Sequence, residues 1–455
     1  MTHSSRIFRP FLAVAVVLMM VCVSLTAIFA TTGTQAAFAT LEKGDKWALQ
    51  EEETFVLSLS SSNGLLNLGD DDSFLRNATI DNVLLNANVG MYVLFEVTDV
   101  NETAYVIKVT AAESIALVAN LSMTGEFVEP GSYLEWAEPG YANPDNLKDI
   151  EDALVSERTL DADIKLAGGS QQTALFTIER STMNVTSISV DTLTYLRGNF
   201  SGHNIPQIDS WGNSSFEQLN ITSYDDYSMG LVLDLHLSGI VSFIPGIAFI
   251  ADALPEHEEF ESEFLVNGTL NWSGVLDITG LPNWLTEKMF TEDVAKWGVT
   301  GFPVDLAKIY NPGSTMINNG TMAIDDIDRD LEVYNYANRT INDPVFGTIQ
   351  VQELGMTDSV RYLYCPENGR IVGAEVYAIS DMFRLKLASA PVADVEKAIS
   401  GVSDQVEKKQ TYDQIMNKDE PEGLPLEWIL VAVIAVIAVV AVGGFLYMRK
   451  KKPAT

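Results

Sequence analysis

Apolar and polar residues alternate along much of this chain. Val93, Phe95 and Val97 recur at every second position, and so do Tyr105, Ile107 and Val109. A period of two marks strands with one covered face. The loop Asp99-Val-Asn-Glu-Thr103 joins the two runs into a hairpin from Gly90 to Thr110. Phe55–Ser61 and Leu65-Leu66 flank Asn63-Gly64, a dipeptide that accepts the positive φ angles of a tight turn. Ile115–Leu121 and Phe127-Val128 continue the sheet, and Thr173–Ile178, Val185–Tyr195 and Gly230–Leu237 read as further strands. Three more Asn-Gly pairs, at 267–268, 319–320 and 368–369, each lie between strand-like runs and predict hairpins. The expected fold class is mainly β (α+β), with large antiparallel sheets and hairpins, a small helical insert, a C-terminal stalk helix and one transmembrane helix.

Helical spacing is confined to short stretches. Asn143 and Pro144 open one in which Leu147, Ile150 and Leu154 share a face. Thr291–Gly298 and Val304–Tyr310 form an insert over 282–310. Val392, Val395, Ile399, Val402 and Val406 recur every three or four residues, which predicts a helix serving as a stalk or as a buttress against the sheet. Ala167-Gly-Gly-Ser170 interrupts the pattern. It places a boundary near 159–170 between a β-rich domain, 40–165, and a second β-rich region, 166–390, with a helical stalk and linker over 391–425.

The two chain ends do not alternate at all. Trp428–Met448 holds 21 residues without a charge. At about 1.5 Å per residue it spans roughly 31 Å, the thickness of a hydrocarbon core. Residues 426–448 therefore read as a transmembrane helix. Arg449, Lys450, Lys451 and Lys452 follow at once and place the tail 449–455 in the cytoplasm. At the other end Arg6 and Arg9, the apolar run Phe11–Ala30 and Ala37-Phe38-Ala39 read as an export signal over 1–39, cleaved or retained as a signal-anchor. Either form puts 40–425 outside a cell membrane that the chain crosses near its C-terminus, with membrane lipid as a partner.

Charge sharpens this picture. All 62 acidic residues lie between Glu42 and Glu427, against 22 basic ones, so that segment carries a formal −40. Such a surface repels nucleic acid, which is excluded as a partner. The 47% apolar content is too high for disorder. Cys365 is the one cysteine outside the signal, as a buried small hydrophobe or an intermolecular thiol, and a disulfide framework is absent. Eleven Asn-x-Ser/Thr sequons occur, at Asn77, Asn101, Asn120, Asn184, Asn199, Asn213, Asn220, Asn267, Asn271, Asn319 and Asn338, about threefold more than random placement gives. They predict an N-glycosylated surface. Sequons, acidity, scarce cysteine and a C-terminal anchor together resemble archaeal-type single-pass cell-surface glycoproteins.

Candidate chemistry is sparse. No Gly is followed by Lys, and Gly-x-Gly-x-x-Gly, Gly-x-Ser-x-Gly and His-Glu-x-x-His are all missing. His203, His236 and His257 remain for the exported part, and no catalytic residue or cofactor is expected. Asp326, Asp328 and Asp330 begin like a calcium loop, but Leu331 and Ala337 stand where an EF-hand needs Gly and Glu. Glu259, Glu261 and Glu263 would share one face of a strand. Either group reads as a loose Ca2+ site or as a solvated acidic face. Gly239–Ala251 is uncharged yet too short to span a bilayer. It reads as core, as a lid over an apolar cavity or as a membrane-dipping loop, with Ile240, Phe243, Ile244, Ile247, Phe249 and Ile250 as candidate contacts to a hydrophobic ligand.

Tyr362-Leu-Tyr-Cys-Pro-Glu-Asn-Gly-Arg-Ile-Val-Gly-Ala-Glu375 resembles the late hairpin of lipoprotein-carrier-like half-barrels. That resemblance implies a curved antiparallel sheet that wraps short helices and holds acyl chains. The leading expectation is a membrane-anchored, acidic binding or adhesion ectodomain for an extracellular ligand or surface protein. A tethered lipid-binding half-barrel is the alternative, and a structural coat component a further one.

Overall fold

A computed structural model of the chain describes residues 41–60, 75–137, 148–149, 154–182, 184–213, 216–247, 254–280, 319–357, 360–378 and 383–416. Fourteen strands form one sheet: β1 (Lys46–Ser60), β2 (Leu75–Val100), β3 (Ala104–Val128), β4 (Ser132–Ala137), β5 (Lys148–Asp149), β6 (Val155–Glu179), β7 (Val185–Asn213), β8 (Phe216–Ile247), β9 (Glu259–Thr279), β10 (Gly320–Asp343), β11 (Gly347–Thr357), β12 (Val360–Cys365), β13 (Arg370–Ala378) and β14 (Phe383–Ala390). Two helices follow, α1 (Val392–Lys408) and α2 (Tyr412–Met416). The fold is mainly β and antiparallel, as the alternation predicts.

The sheet closes on itself. Its order runs β8-β7-β6-β3-β2-β1-β14-β13-β12-β11-β10-β9, and β9 pairs back with β8, from Gly230↔Thr279 to Ile244↔Leu265. Twelve antiparallel strands thus make a ring. The strands differ greatly in length. β12, β13 and β14 have 6 to 9 residues, whereas β2, β3, β6, β7 and β8 have 25 to 32. β14 meets β1 only over Ala48–Gln50, so the long strands run on past the ring as an open trough. β4 pairs with the first residues of β8, opposite Phe216–Asn220, and extends the trough wall.

Parity along each strand sets which way a side chain points. Inward positions at the ring end form one cluster that includes Val93 of β2, Ile107 of β3, Phe176 of β6, Phe243 of β8, Val266 of β9, Leu354 of β11 and Leu387 of β14. Trp47 stacks on Phe95 there, with ring centroids 4.8 Å apart. The outward face is covered in two places among the described residues: Ile349, Val351, Leu363, Cys365 and Val372 of β11–β13 form a buried cluster of their own, and α1 covers the other. Val395, Ile399, Val402 and Val406 of α1 pack on Ala48, Tyr92, Leu94, Ala112 and Tyr195. This double covering explains why Met91-Tyr-Val-Leu-Phe95 is apolar without a break. Gly169 lets the helix approach, since a Cβ there would stand 3.1 Å from the Tyr195 ring and 3.2 Å from Val406 Cγ2. Gln405 donates to the Gly168 carbonyl at 3.0 Å, and the Tyr195 hydroxyl donates to the Gln410 carbonyl at 3.1 Å.

Several expectations are corrected by this arrangement. The C-terminal helix is a buttress on the sheet and not a free stalk. The boundary expected at 159–170 falls inside β6, which pairs along its length with β3 and β7, so 40–165 and 166–390 share one sheet. Asn267-Gly268 makes no turn. β9 runs through it, and Gly268 is needed because a Cβ would lie 2.3 Å from the Ile240 carbonyl oxygen. Asn368-Gly369 does close a hairpin, between β12 and β13, with Gly369 at φ 67°. The hairpin of β2 and β3 is also found, though its arms reach well beyond Gly90 and Thr110. Within the helix expected over 143–154, Lys148 and Asp149 are instead a short strand parallel to β4. No helix among the described residues is long and apolar enough to cross a membrane. The signal 1–39, the turn at 63–64, the insert 282–310, the transmembrane segment 426–448 and the basic tail lie outside the described residues.

Candidate functional site

The inward face of the long strands is the least ordinary surface of the molecule. Beyond the ring cluster, Leu166, Leu196, Leu231, Leu233 and Trp272 form a second inward cluster, against which Leu117, Leu235 and Leu237 pack. Further along, Val83, Leu121, Met123, Leu160, Ile164 and Phe200 belong to a third, with Tyr224 and Tyr227 against it. One apolar lining therefore runs from the closed ring along the trough. The described helices lie on the other face.

A polar belt crosses this lining. Inward positions of β3 from Tyr105 to Met123 are apolar except Glu113. Those of β6 from Leu160 to Ile178 break at Ser170 and Gln172, and those of β7 from Ile188 to Phe200 break at Thr192 and Thr194. Register makes the breaks neighbours: Glu113↔Ser170↔Thr194 on one rung and Gln172↔Thr192 on the next. The Ser170 and Thr194 hydroxyls lie 3.2 Å apart. The second rung continues through Leu237 to Trp272. Glu113 is only 3% exposed and Thr192 6%. Thr192 Oγ1 and the Trp272 indole nitrogen are buried with no hydrogen-bond partner among the described residues, and so is the Tyr227 hydroxyl farther along. Burial pushes the Tyr227 phenol up to about 12. No Lys or Arg occupies an inward position along these three rows. The sequence reading missed the belt, although the single charge among ten inward positions of β3 was legible once the face was assigned.

On the outer face the two acidic groups expected from the sequence meet across β9 and β10. Glu261 pairs with Glu332 and Glu263 with Asp330. The carboxylates of Glu261, Asp330 and Glu332 offer oxygens within 4.8 Å of one another, all exposed. Glu332, which the sequence reading did not single out, completes the group. Its carboxyl is held above the usual range, first by the charge of Glu259 and then by slight desolvation and by Asp330 and Glu261. Asp326 belongs elsewhere. It sits in a bulge at φ 47°, where its backbone N–H donates to Asn267 Oδ1 at 2.8 Å and its carboxylate accepts from Asn267 Nδ2 at 3.0 Å. Asp328 and Glu259 are exposed on the same two strands. Chemically the group is a patch of exposed oxygens suited to a hydrated cation.

The stretch from Gly239 divides by parity. Phe243 and Ile247 are buried in the ring cluster, whereas Ile240 and Ile244 point outward, 55% and 56% exposed. Phe249 and Ile250 lie outside the described residues. As far as Ile247 this segment is therefore strand and core, not a lid. The three described histidines lie on the outer surface, His203 and His257 exposed and His236 half-buried: His203 with Asp226, His236 with Asp191 at 3.0 Å and His257 with Glu256 at 4.0 Å. Cys365 is buried, and burial pushes its thiol up.

Nine of the sequon asparagines have described side chains and none is buried. Asn120, Asn199, Asn267 and Asn271 point outward from β3, β7 and β9. Asn101 is at the β2–β3 turn, Asn184 beside the β6–β7 turn, Asn77 in a bulge of β2, Asn319 just before β10 and Asn338 within it. Asn213 ends β7 and Asn220 lies in β8.

No protein-family model, no curated protein and no solved structure matches the chain.

Proposed function

We propose that this protein holds an apolar ligand in its trough, at the outer surface of a membrane. One observation carries the reading: the inward face stays apolar along β2, β3, β6, β7 and β8 well past the point where the ring closes. The clustered residues of these rows are 9% exposed or less, while Leu117, Leu235 and Leu237 beside them are only partly covered, and a row of partly covered leucines is apolar surface that a ligand would finish burying. The outer face supports the same division of labour. It carries the acidic groups, the histidines and the outward sequons, so glycans attached there leave the inner face free. The hairpin resemblance to lipoprotein-carrier-like half-barrels points to a lipid as the ligand class. In this reading the anchor at 428–448 fixes the trough at the cell surface, which favours holding or presenting a lipid over carrying it away.

The test is lipid extraction from the purified full chain, followed by mass spectrometry, with a Leu117→Asp, Leu235→Asp double variant alongside. Lipid bound around the membrane segment is common to both and cancels. The wild type is expected to carry additional long-chain lipid approaching one equivalent. Equal amounts in a folded double variant would overturn the proposal. Adhesion through the outer surface would then become the better reading.

A further inference from the structure

We infer that the trough selects an amphiphile with an uncharged, hydroxyl-bearing head group, and that Glu113, Gln172, Thr192 and Trp272 read that head. The inference rests on the proposed apolar-ligand reading and adds what the ligand must look like.

The polar belt is out of place for a wall that only packs. Three adjacent strands, each apolar over nearly all its inward positions, give up that pattern at laterally paired residues. A buried polar group left without a partner is costly, so native structures rarely keep one. Here Thr192 Oγ1 and Trp272 Nε1 are both buried, stand on one rung and lack partners among the described residues. One strand, β8, lies between them, so their Cα atoms stand roughly 10 Å apart along the wall, and the Trp272 ring lies over Gly320 of β10. A span of that order calls for a head group bearing more than one hydroxyl.

The donor and acceptor inventory decides the chemistry. The indole N–H only donates, so the ligand must accept from it. A carboxylate accepts, while the amide of Gln172 and the hydroxyl of Thr192 do both. A hydroxyl satisfies both requirements. An ammonium donates but leaves the Trp272 N–H unmet. A phosphate or carboxylate accepts from Trp272 but would have to shed its water in a buried belt where no Lys or Arg occupies an inward position of β3, β6 or β7 to offset its charge. Arg158, the nearest cation along the β6 row, lies at the far end of the trough, over the Tyr224 ring and beside Glu129.

The experiment uses the full chain in membrane vesicles and three photoreactive probes with one alkyl diazirine tail. Their heads are glycerol, amine and phosphate. Labelled residues are mapped by peptide mass spectrometry. The glycerol probe is expected to label inward residues around the belt at least about tenfold more than the phosphate probe, as hydrogen bonds to charged or buried groups allow. Thr192→Val, which barely changes shape, and Trp272→Phe should weaken labelling by the glycerol probe. Glu113→Gln, which keeps shape and hydrogen-bonding capacity, should keep the glycerol probe. Equal labelling of the inward face by all three heads, or no effect of Thr192→Val in a folded protein, overturns the head-group inference and leaves the trough standing. Absence of inward labelling by every probe removes the trough reading and this inference with it.

Discussion

At Glu332 four carboxylates crowd one patch of water. Glu259, Glu261 and Asp330 face it across two strands, and their charge raises its proton affinity. The folded state therefore binds this proton at higher pH than the unfolded chain does. Stability must rise as pH falls through the raised value, and the benefit is complete below the ordinary carboxylate range. Glu332→Gln is expected to raise the melting temperature at pH 7 and to change nothing once the group is protonated in both states. Thermal melts of both forms across that pH range check it, and an equal gain at every pH would show that charge is not the cause. At this scale the sequence was partly legible. Glu259, Glu261, Glu263 and the three aspartates stood out as runs, but neither their meeting nor the part of Glu332 was visible, because register between β9 and β10 is a long-range property. Glu113 was hidden for the same reason, since a lone acid carries no signal until its face is known.

Among the elements, α1 shows how one helix converts a half-covered sheet into a doubly covered one. Its apolar stripe was plain in the sequence, and only its docking place was not. The clue lay in the sheet, where Met91–Phe95 loses its alternation and Gly169 loses its side chain. Gly169→Val is expected to push α1 off the sheet and to cost about 2 kcal/mol, the usual range for overpacking a filled contact. Hydrogen exchange is the readout: amides of Val395–Val406 should become fast while those of β9 and β10 stay slow. Uniformly slow exchange in the variant would mean that the helix does not depend on that approach. The Asn-Gly pairs mark the limit of local turn signals. The same dipeptide closes the β12–β13 hairpin at 368–369 and runs straight through β9 at 267–268, where close approach of the β8 backbone decides the need for glycine.

Across the whole molecule, unequal strand length is the organising feature. Short strands complete a ring around a packed core, and long strands carry the same apolar face past it. Alternation in the sequence revealed the strands but not how far they extend, nor that β8 and β9 close the order. Inner and outer faces then take different residues. The apolar rows and the polar belt with Glu113 face inward, while the acidic patch of β9 and β10 and the histidines lie on the outer surface. The most direct measurement is a photolabelling map of the full chain in membranes, with a plain alkyl diazirine that has no head group. Label in 428–448 serves as the internal standard. The account predicts label at inward Leu117, Leu235 and Leu237, and little at Leu175 and Leu193, which are exposed but point outward. Label on those two outward leucines equal to that on the inward three would contradict it, because an apolar molecule would then be meeting the surface at large and not the trough.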